Sequence, residues 1–99
     1  MAIQLPLPTQ QLADFCRRNA IRKLALFGSV LRDDFRADSD VDVLVEFTPT
    51  AKVNFFTFVD IQERLQHILN REVDLHTLQS LSPHMLPQVL ADAEVVYEQ

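Results

Sequence analysis

The chain has 99 residues, of which 47% are hydrophobic and 23% are charged, and its formal net charge is −5. This length predicts one domain spanning residues 1–99 with a single thin core, and the negative charge argues against direct nucleic-acid binding, which needs clustered Lys and Arg. No apolar run reaches the roughly 20 residues of a membrane helix. The first residues lack the pattern of a secretory signal. The single cysteine, Cys16, favours a reducing cytoplasm.

Helices and strands alternate along the chain, according to the spacing of its apolar residues. The predicted elements are a helix from Thr9 as N-cap to Asn19, a strand that contains Ile21, Leu24, Leu26 and Phe27 and ends at Gly28, a short helix over residues 29–35, a strand from Val41 to Phe47, a helix over residues 54–69, a strand from Glu72 to His76, a helical stretch interrupted by prolines, and a closing strand from Glu94 to Tyr97. About 13 residues connect the first two strands, which is barely enough for a parallel crossover, so antiparallel pairing is expected. The predicted fold class is α+β, a small mixed β-sheet with helices packed on one face, in α-β-α-β-α-β order.

Two aspartates, Asp40 and Asp42, lie at the entry to the second strand. Side chains alternate across a strand, so both carboxylates point to one face while Val41, Val43 and Val45 point to the core. Two carboxylates on one face repel each other unless they share a hard divalent cation, which prefers oxygen ligands. The pair therefore indicates a metal site, with a merely solvated strand entry as the alternative.

The chain's single glycine, Gly28, ends the first strand and directly precedes Ser29. A glycine turn that opens a helix leaves backbone N–H groups free, and phosphate is a natural ligand for them. Ser29 can donate its hydroxyl to a phosphate oxygen, and Arg32, one turn further on, can add a forked cationic contact. A glycine turn followed by a serine helix cap remains the alternative.

A third acidic residue, Asp74, lies in the short strand that ends at His76. If this strand pairs with the second one, Asp74 can join Asp40 and Asp42 around two cations that clamp the attacking and leaving oxygens of a phosphoryl transfer. His76 shares the face of Asp74 by alternation. The alternatives are a surface aspartate and a half-exposed histidine without a ligand role.

The order of these motifs resembles the nucleotidyltransferase superfamily that includes DNA polymerase beta. G-S-x-x-R at residues 28–32 is followed by D-x-D at residues 40–42 and by a single aspartate on a later strand. The short chain and the run GSVLRDDFRADSDVDVLVEF are most similar to the minimal nucleotidyltransferases, the MNT or MntA-like antitoxins. The resemblance covers residues 20–97.

This resemblance implies a site and an activity. Gly28, Ser29 and Arg32 would bind the nucleotide, while Asp40, Asp42 and Asp74 would be catalytic and would hold two Mg²⁺ ions. The enzyme would transfer AMP from ATP to a tyrosine hydroxyl of a HEPN-domain ribonuclease toxin and so inactivate it.

The resemblance also implies a protein partner, the HEPN toxin, with a hetero-oligomer or a homo-oligomer both left open. No membrane partner and no direct nucleic-acid partner is expected. The alternative is a non-catalytic antitoxin that neutralises the toxin by binding and masking it. Phe56 lies off the apolar stripe of the long helix and is the predicted exposed contact, although core packing is expected for most of that helix.

Overall fold

The computed structural model describes residue 3, residues 5–32 and residues 35–99. These residues form helix α1 (Thr9–Arg18), strand β1 (Ile21–Phe27), a 3₁₀ turn (Gly28–Leu31), strand β2 (Val41–Phe47), helix α2 (Phe55–Leu69), strand β3 (Val73–His76), helix α3 (Leu86–Asp92) and strand β4 (Glu94–Glu98). None of the helices within these ranges is both long and apolar enough to cross a membrane.

The four strands form one sheet in the order β3-β2-β1-β4. β1 pairs antiparallel with both β2 and β4, whereas β2 pairs parallel with β3. The antiparallel pairing expected from the short first connection is confirmed, and α2 provides the longer crossover that a parallel pair requires. The sheet is therefore mixed, and the predicted α+β class is confirmed.

The main hydrophobic core lies between the sheet and the two longer helices. It takes alternate residues from the strands and one face each from α1 and α2. Its buried residues are Leu12, Phe15, Cys16, Ile21, Leu24, Leu26, Val30, Leu31, Val41, Val43, Val45, Ile61, Leu65, Leu69, Val73 and Leu75. The apolar face predicted for β2 is thus the buried one.

A smaller apolar cluster covers part of the opposite face of the sheet. It consists of Ala25, Phe27, Leu44, Leu81 and Val89. The strand residues in this cluster alternate with those of the main core, so they point the other way. Val89 belongs to α3, which adds one short helix to the face opposite α1 and α2, whereas the sequence predicted helices on one face, and α3 lies beside the Asp42 carboxylate of β2.

Two helix boundaries differ from the expected ones for local reasons. Thr9 is the first residue of α1, and its N-cap is Pro8, which makes no side-chain capping bond. The short helix expected over residues 29–35 is a 3₁₀ turn that ends at Leu31, because Arg32 adopts an extended conformation with φ −117° and ψ 158°. Residues 33 and 34 of that expected helix lie outside the described residues.

Helix α2 is tied to the neighbouring edge strand β3 by two glutamines. The backbone N–H of Val73 donates to Gln66 Oε1 at 3.1 Å, and that of Leu75 donates to Gln62 Oε1 at 3.2 Å. Asn70, in the left-handed conformation with φ 54°, ends α2 and turns the chain toward β3. Because an edge strand otherwise presents unpaired N–H groups, these bonds complete the outer side of β3 and fix its position.

Candidate active site

The turn after β1 brings the backbone against a carboxylate of the neighbouring strand. Gly28 has φ +78°, and a Cβ at this position would collide with the carboxylate of Asp42. Phe27, the last residue of β1, is paired with Asp42 across the antiparallel ladder. Glycine is therefore favoured here by the left-handed backbone, and a side chain at this position would have to displace the Asp42 carboxylate. This contact places the predicted phosphate turn directly beside the predicted metal ligand.

Asp42 and Asp74 are direct neighbours on the parallel strands β2 and β3. With His76 they form a group in which one potential ligand atom from each residue lies within 4.8 Å of the others. The imidazole Nε2 of His76 lies 3.2 Å from Asp74 Oδ2 and 3.8 Å from Asp42 Oδ1. Two carboxylates and an imidazole at this spacing can hold a metal ion, and carboxylate oxygens suit Mg²⁺.

The electrostatics of this group favour a bound cation. Burial, and next the charge of Asp74, raise the pKa of Asp42 above its ordinary value of 3.8. Asp40 acts in the same direction, whereas His76 and Arg32 lower the pKa. Since the ionised form of Asp42 is disfavoured in the protein alone, a cation that neutralises the repulsion would be bound with a gain in free energy.

Asp40 lies beside this group and is exposed to solvent. The group of three that the described residues form does not include its carboxylate, although its charge acts on Asp42. Its backbone carbonyl accepts a hydrogen bond from the Ser29 hydroxyl at 3.5 Å. The structure thus brings ligand atoms of two of the three predicted aspartates, Asp42 and Asp74, within 4.8 Å of each other, and it places Asp40 outside this group but hydrogen-bonded to Ser29 of the glycine turn.

The segment that leads into Asp40 is held by one arginine. Arg71 donates from Nη2 to the backbone carbonyls of Arg36 and Ser39, the second at 2.9 Å. Its guanidinium also lies over the ring of Phe35, 4.3 Å from the centroid, which is a cation–π contact. These contacts connect the start of β3 with the chain just before the aspartate pair.

A cavity of about 300 Å³ opens next to the glycine turn and Asp42. It is lined by Phe27, Gly28, Leu31, Arg32, Asp42, Met85, Gln88, Val89 and Asp92. Of the three residues predicted to bind the nucleotide, Gly28 and Arg32 line this cavity together with Asp42, whereas Ser29 does not. The wall formed by α3 was not predicted, because no motif marks it and it is distant from the glycine turn in sequence.

His76 lies closer to the acidic group than the sequence alone indicated. The available signal was alternation along β3, which puts His76 on the face of Asp74. In the structure its ring also lies against Phe27, with centroids 5.4 Å apart and planes inclined by 58°. His76 is thus held between the apolar end of β1 and the two carboxylates.

Comparison with known proteins agrees with this geometry. The family model "Polymerase beta, Nucleotidyltransferase" matches residues 10–99. The protein adenylyltransferase MntA of Thermococcus cleftensis is 36% identical over 80 residues, which are 81% of this chain and 77% of that protein. A toxin–antitoxin crystal structure with AMP-PNP has a TM-score of 0.74 at 22% identity, covering 94% of this chain and 75% of the other.

A second solved structure shows the same fold. It contains an MNT antitoxin in complex with a tri-AMPylated HEPN toxin from Shewanella oneidensis. Its TM-score is 0.60 at 22% identity, and the match covers 92% of this chain and 70% of the other. The chain belongs to the polymerase beta-type nucleotidyltransferase family, as its motifs indicated.

Proposed function

We propose that this protein is the antitoxin of a HEPN toxin–antitoxin pair. It transfers AMP from ATP to a tyrosine hydroxyl of the HEPN ribonuclease toxin and thereby inactivates the toxin. The observation that carries the proposal is the position of Asp42, whose carboxylate lies against the Gly28 turn and within 4.8 Å of ligand atoms of Asp74 and His76. A phosphate turn and an acidic group in contact are what nucleotidyl transfer requires.

The donor set fits Mg²⁺. We assign two Mg²⁺ ions to Asp40, Asp42 and Asp74, of which Asp42 and Asp74 offer oxygen ligands within one small group. When bound, such ions neutralise the charge that develops on the transferring phosphoryl group. The raised pKa of Asp42, caused by burial and by the Asp74 carboxylate, supports a cation at this position.

Each nucleotide-binding residue has a role in this assignment. The N–H groups of the turn at Gly28 and the hydroxyl of Ser29 bind the phosphates of ATP, and Arg32 adds positive charge from the same cavity. The tyrosine oxygen attacks the α-phosphorus, and its proton passes to a carboxylate oxygen of Asp74, which is 58% exposed. A bond forms between the tyrosine oxygen and the α-phosphorus. The bond from the α-phosphorus to the oxygen that bridges to the β-phosphate breaks, and pyrophosphate leaves.

The acceptor is inferred from relatives of known activity or known complex. The Thermococcus cleftensis relative is named a protein adenylyltransferase, and a protein of the same fold is solved with a tri-AMPylated HEPN toxin. We therefore expect the acceptor hydroxyl on a separate protein, and we place the reaction in the cytoplasm, in keeping with the free thiol of Cys16.

The test is a transfer assay with the HEPN protein encoded beside this one. The purified pair is incubated with Mg²⁺ and with ATP labelled at the α-phosphate, and label on the toxin is measured together with its ribonuclease activity. We expect label to enter a toxin tyrosine and ribonuclease activity to fall in parallel. Asp42→Asn should slow labelling by roughly 100-fold or more, because it removes a metal ligand.

Asp60→Asn is the matched control. Asp60 is an exposed aspartate on α2 that pairs with Arg64 at 3.0 Å, outside the acidic group. This variant should label the toxin at the wild-type rate. If Asp42→Asn neutralises the toxin as well as wild type does and no label enters the toxin, the protein acts by masking and the proposed transfer is wrong.

A further inference from the structure

Helix α3 and its N-cap residue, Met85, present one continuous face to the cavity beside the glycine turn. Met85, Gln88, Val89 and Asp92 all line this cavity. Their spacing of three, four and seven residues is that of a single helix face. The opposite side of the cavity carries Gly28 and Asp42, which the proposed function assigns to the phosphates and the metal. A group attached to those phosphates can therefore reach the α3 face.

The polar pair on this face offers mainly hydrogen-bond acceptors. Gln88 donates from Nε2 to Asp92 Oδ2, one turn further along α3. An amide beside a carboxylate must turn its NH₂ group toward that carboxylate, which leaves the amide oxygen available to a ligand. The second carboxylate oxygen of Asp92 is also an acceptor. A ligand edge with an N–H donor is therefore favoured here, and a carbonyl edge is repelled.

The apolar part of the cavity suits a flat ring. Phe27 and Leu31 lie on its sheet side, and Met85 and Val89 on its α3 side. Met85 is 47% exposed although it is a large apolar side chain. A thioether beside an aromatic heterocycle makes a favourable contact, and burial of Met85 under a bound ring would add apolar contact area.

We propose that the α3 face binds the adenine ring of the nucleotide, with the Gln88–Asp92 pair accepting hydrogen bonds from the 6-amino group. The pair then selects adenine over purines with a 6-oxo group. This inference rests on the proposed function, since the phosphates must lie at Gly28 for the ring to reach α3. The inference assigns base selection to α3, which carries no recognisable sequence motif.

Two nucleotides that differ only along one edge of the base test the inference. ATP and inosine triphosphate share the triphosphate and the purine frame, but the second has an oxo group in place of the 6-amino group and an N–H in place of the unprotonated N1. Their dissociation constants are measured by titration calorimetry in Mg²⁺ with the whole protein and without toxin. We expect ATP to bind about tenfold more tightly, the equivalent of one hydrogen bond gained and one repulsive contact avoided.

Substitutions on α3 separate base selection from general binding. Gln88→Leu should weaken ATP binding and bring the ratio of the two dissociation constants close to one. Leu90→Ala is the matched control, because Leu90 is 56% exposed and does not line the cavity. It should keep the wild-type ratio, and circular dichroism should show that both variants are folded.

The outcomes distinguish this inference from the function on which it rests. If both nucleotides bind equally well to wild type, or if Gln88→Leu retains the wild-type ratio, the α3 face does not select the base, while phosphate binding at Gly28 stands. If neither nucleotide binds in the presence of Mg²⁺, the proposed nucleotide site is wrong as well, and the inference fails with it.

Discussion

At the scale of single residues, Asp42 combines a functional position with a cost in stability. Its pKa is raised by burial and by Asp74, so the ionised carboxylate disfavours the folded state of the metal-free protein. As pH rises from the ordinary value of 3.8 through the higher folded value, the unfolded chain releases this proton first. The stability contribution of this group is therefore full below pH 3.8 and is lost as pH rises through the raised pKa.

Asp42→Asn should therefore stabilise the metal-free protein. At pH 7 the variant should unfold at a higher temperature than wild type, and the difference should shrink as pH falls toward 3.8. Added Mg²⁺ should raise the melting temperature of wild type more than that of the variant, because bound metal stabilises the folded state. Differential scanning calorimetry with and without a chelator measures both effects. A metal-free variant that melts below wild type would contradict the assignment of repulsion at Asp42.

Arg71 is predicted to be a positioning residue that acts through Asp40. Its bonds to the carbonyls of Arg36 and Ser39 hold the segment that enters β2 at the aspartate pair. Arg71→Ala should lower kcat for AMP transfer by up to roughly 100-fold through misplacement of the carboxylates, with a smaller effect on KM for ATP. Steady-state kinetics with the toxin as acceptor measures both constants.

A partial rescue distinguishes positioning from general stability. Arg71→Lys retains a donor for the two carbonyls but loses the planar stacking on Phe35, so its kcat should lie between those of Arg71→Ala and wild type. The thermal stability of each variant is measured beside its kinetics. If kcat follows the melting temperature alone, Arg71 has only a structural role.

At the scale of elements, the sequence correctly predicted the helices and strands whose apolar pattern is strong and local. Both bounds of β2 and the start of β1 agree with the expected ones, and β1 ends one residue before the expected Gly28, because Gly28 and Thr48-Pro49 end apolar runs sharply. Helix α2 also agrees, with Asn54 as its N-cap accepting from the N–H of Thr57 at 2.8 Å. The Gly28 turn and the acidic strands of the candidate site could be placed for the same reason.

The remaining part of the site depends on contacts between distant segments. The position of α3 against the second face of the sheet follows from Val89 packing with Phe27 and Leu44, which no local pattern reports. The contact of Gly28 with Asp42 follows from the register of β1 on β2. Sequence alternation could therefore assign each residue to a face but could not say which segment covers that face.

Helix α2 should contribute most of its stability through its buried face. Leu65 is fully buried in the main core, whereas Phe56 is 81% exposed on the same helix. Leu65→Ala should lower the free energy of unfolding by about 2–5 kcal/mol, because it removes buried methyl groups and leaves a cavity. Phe56→Ala should change it by less than about 0.5 kcal/mol, as is typical of a surface substitution. Urea denaturation followed by circular dichroism compares the two.

At the scale of the whole molecule, Cys16 is predicted to report global unfolding. It is fully buried in the main core, and burial raises the pKa of its thiol from 9.0 to about 12. The thiol therefore stays protonated and inaccessible at pH 8 in the folded protein, and iodoacetamide should modify it only when the core opens. Modification followed by mass spectrometry should track the urea transition.

The same thiol predicts a loss of stability at alkaline pH. The unfolded chain ionises Cys16 near pH 9.0, whereas the folded protein does so only near pH 12. Its contribution to stability is therefore full below pH 9.0 and falls as pH rises from there toward 12. Cys16→Ala should remove this part of the pH dependence. Urea titrations at pH 8 and pH 10 compare the change in the free energy of unfolding between the two pH values for the variant and for wild type.

The glutamine bonds along β3 limit how another protein can approach the carboxylates. Many complexes form by β-augmentation, in which a partner's backbone lies along an open sheet edge. At β3 the N–H groups of Val73 and Leu75 are already occupied by the side chains of Gln66 and Gln62, and α2 stands beside them. An incoming chain therefore finds no backbone ladder next to Asp74. It has to reach the carboxylates with a protruding side chain, which favours acceptor residues on tips and tails over those within regular structure.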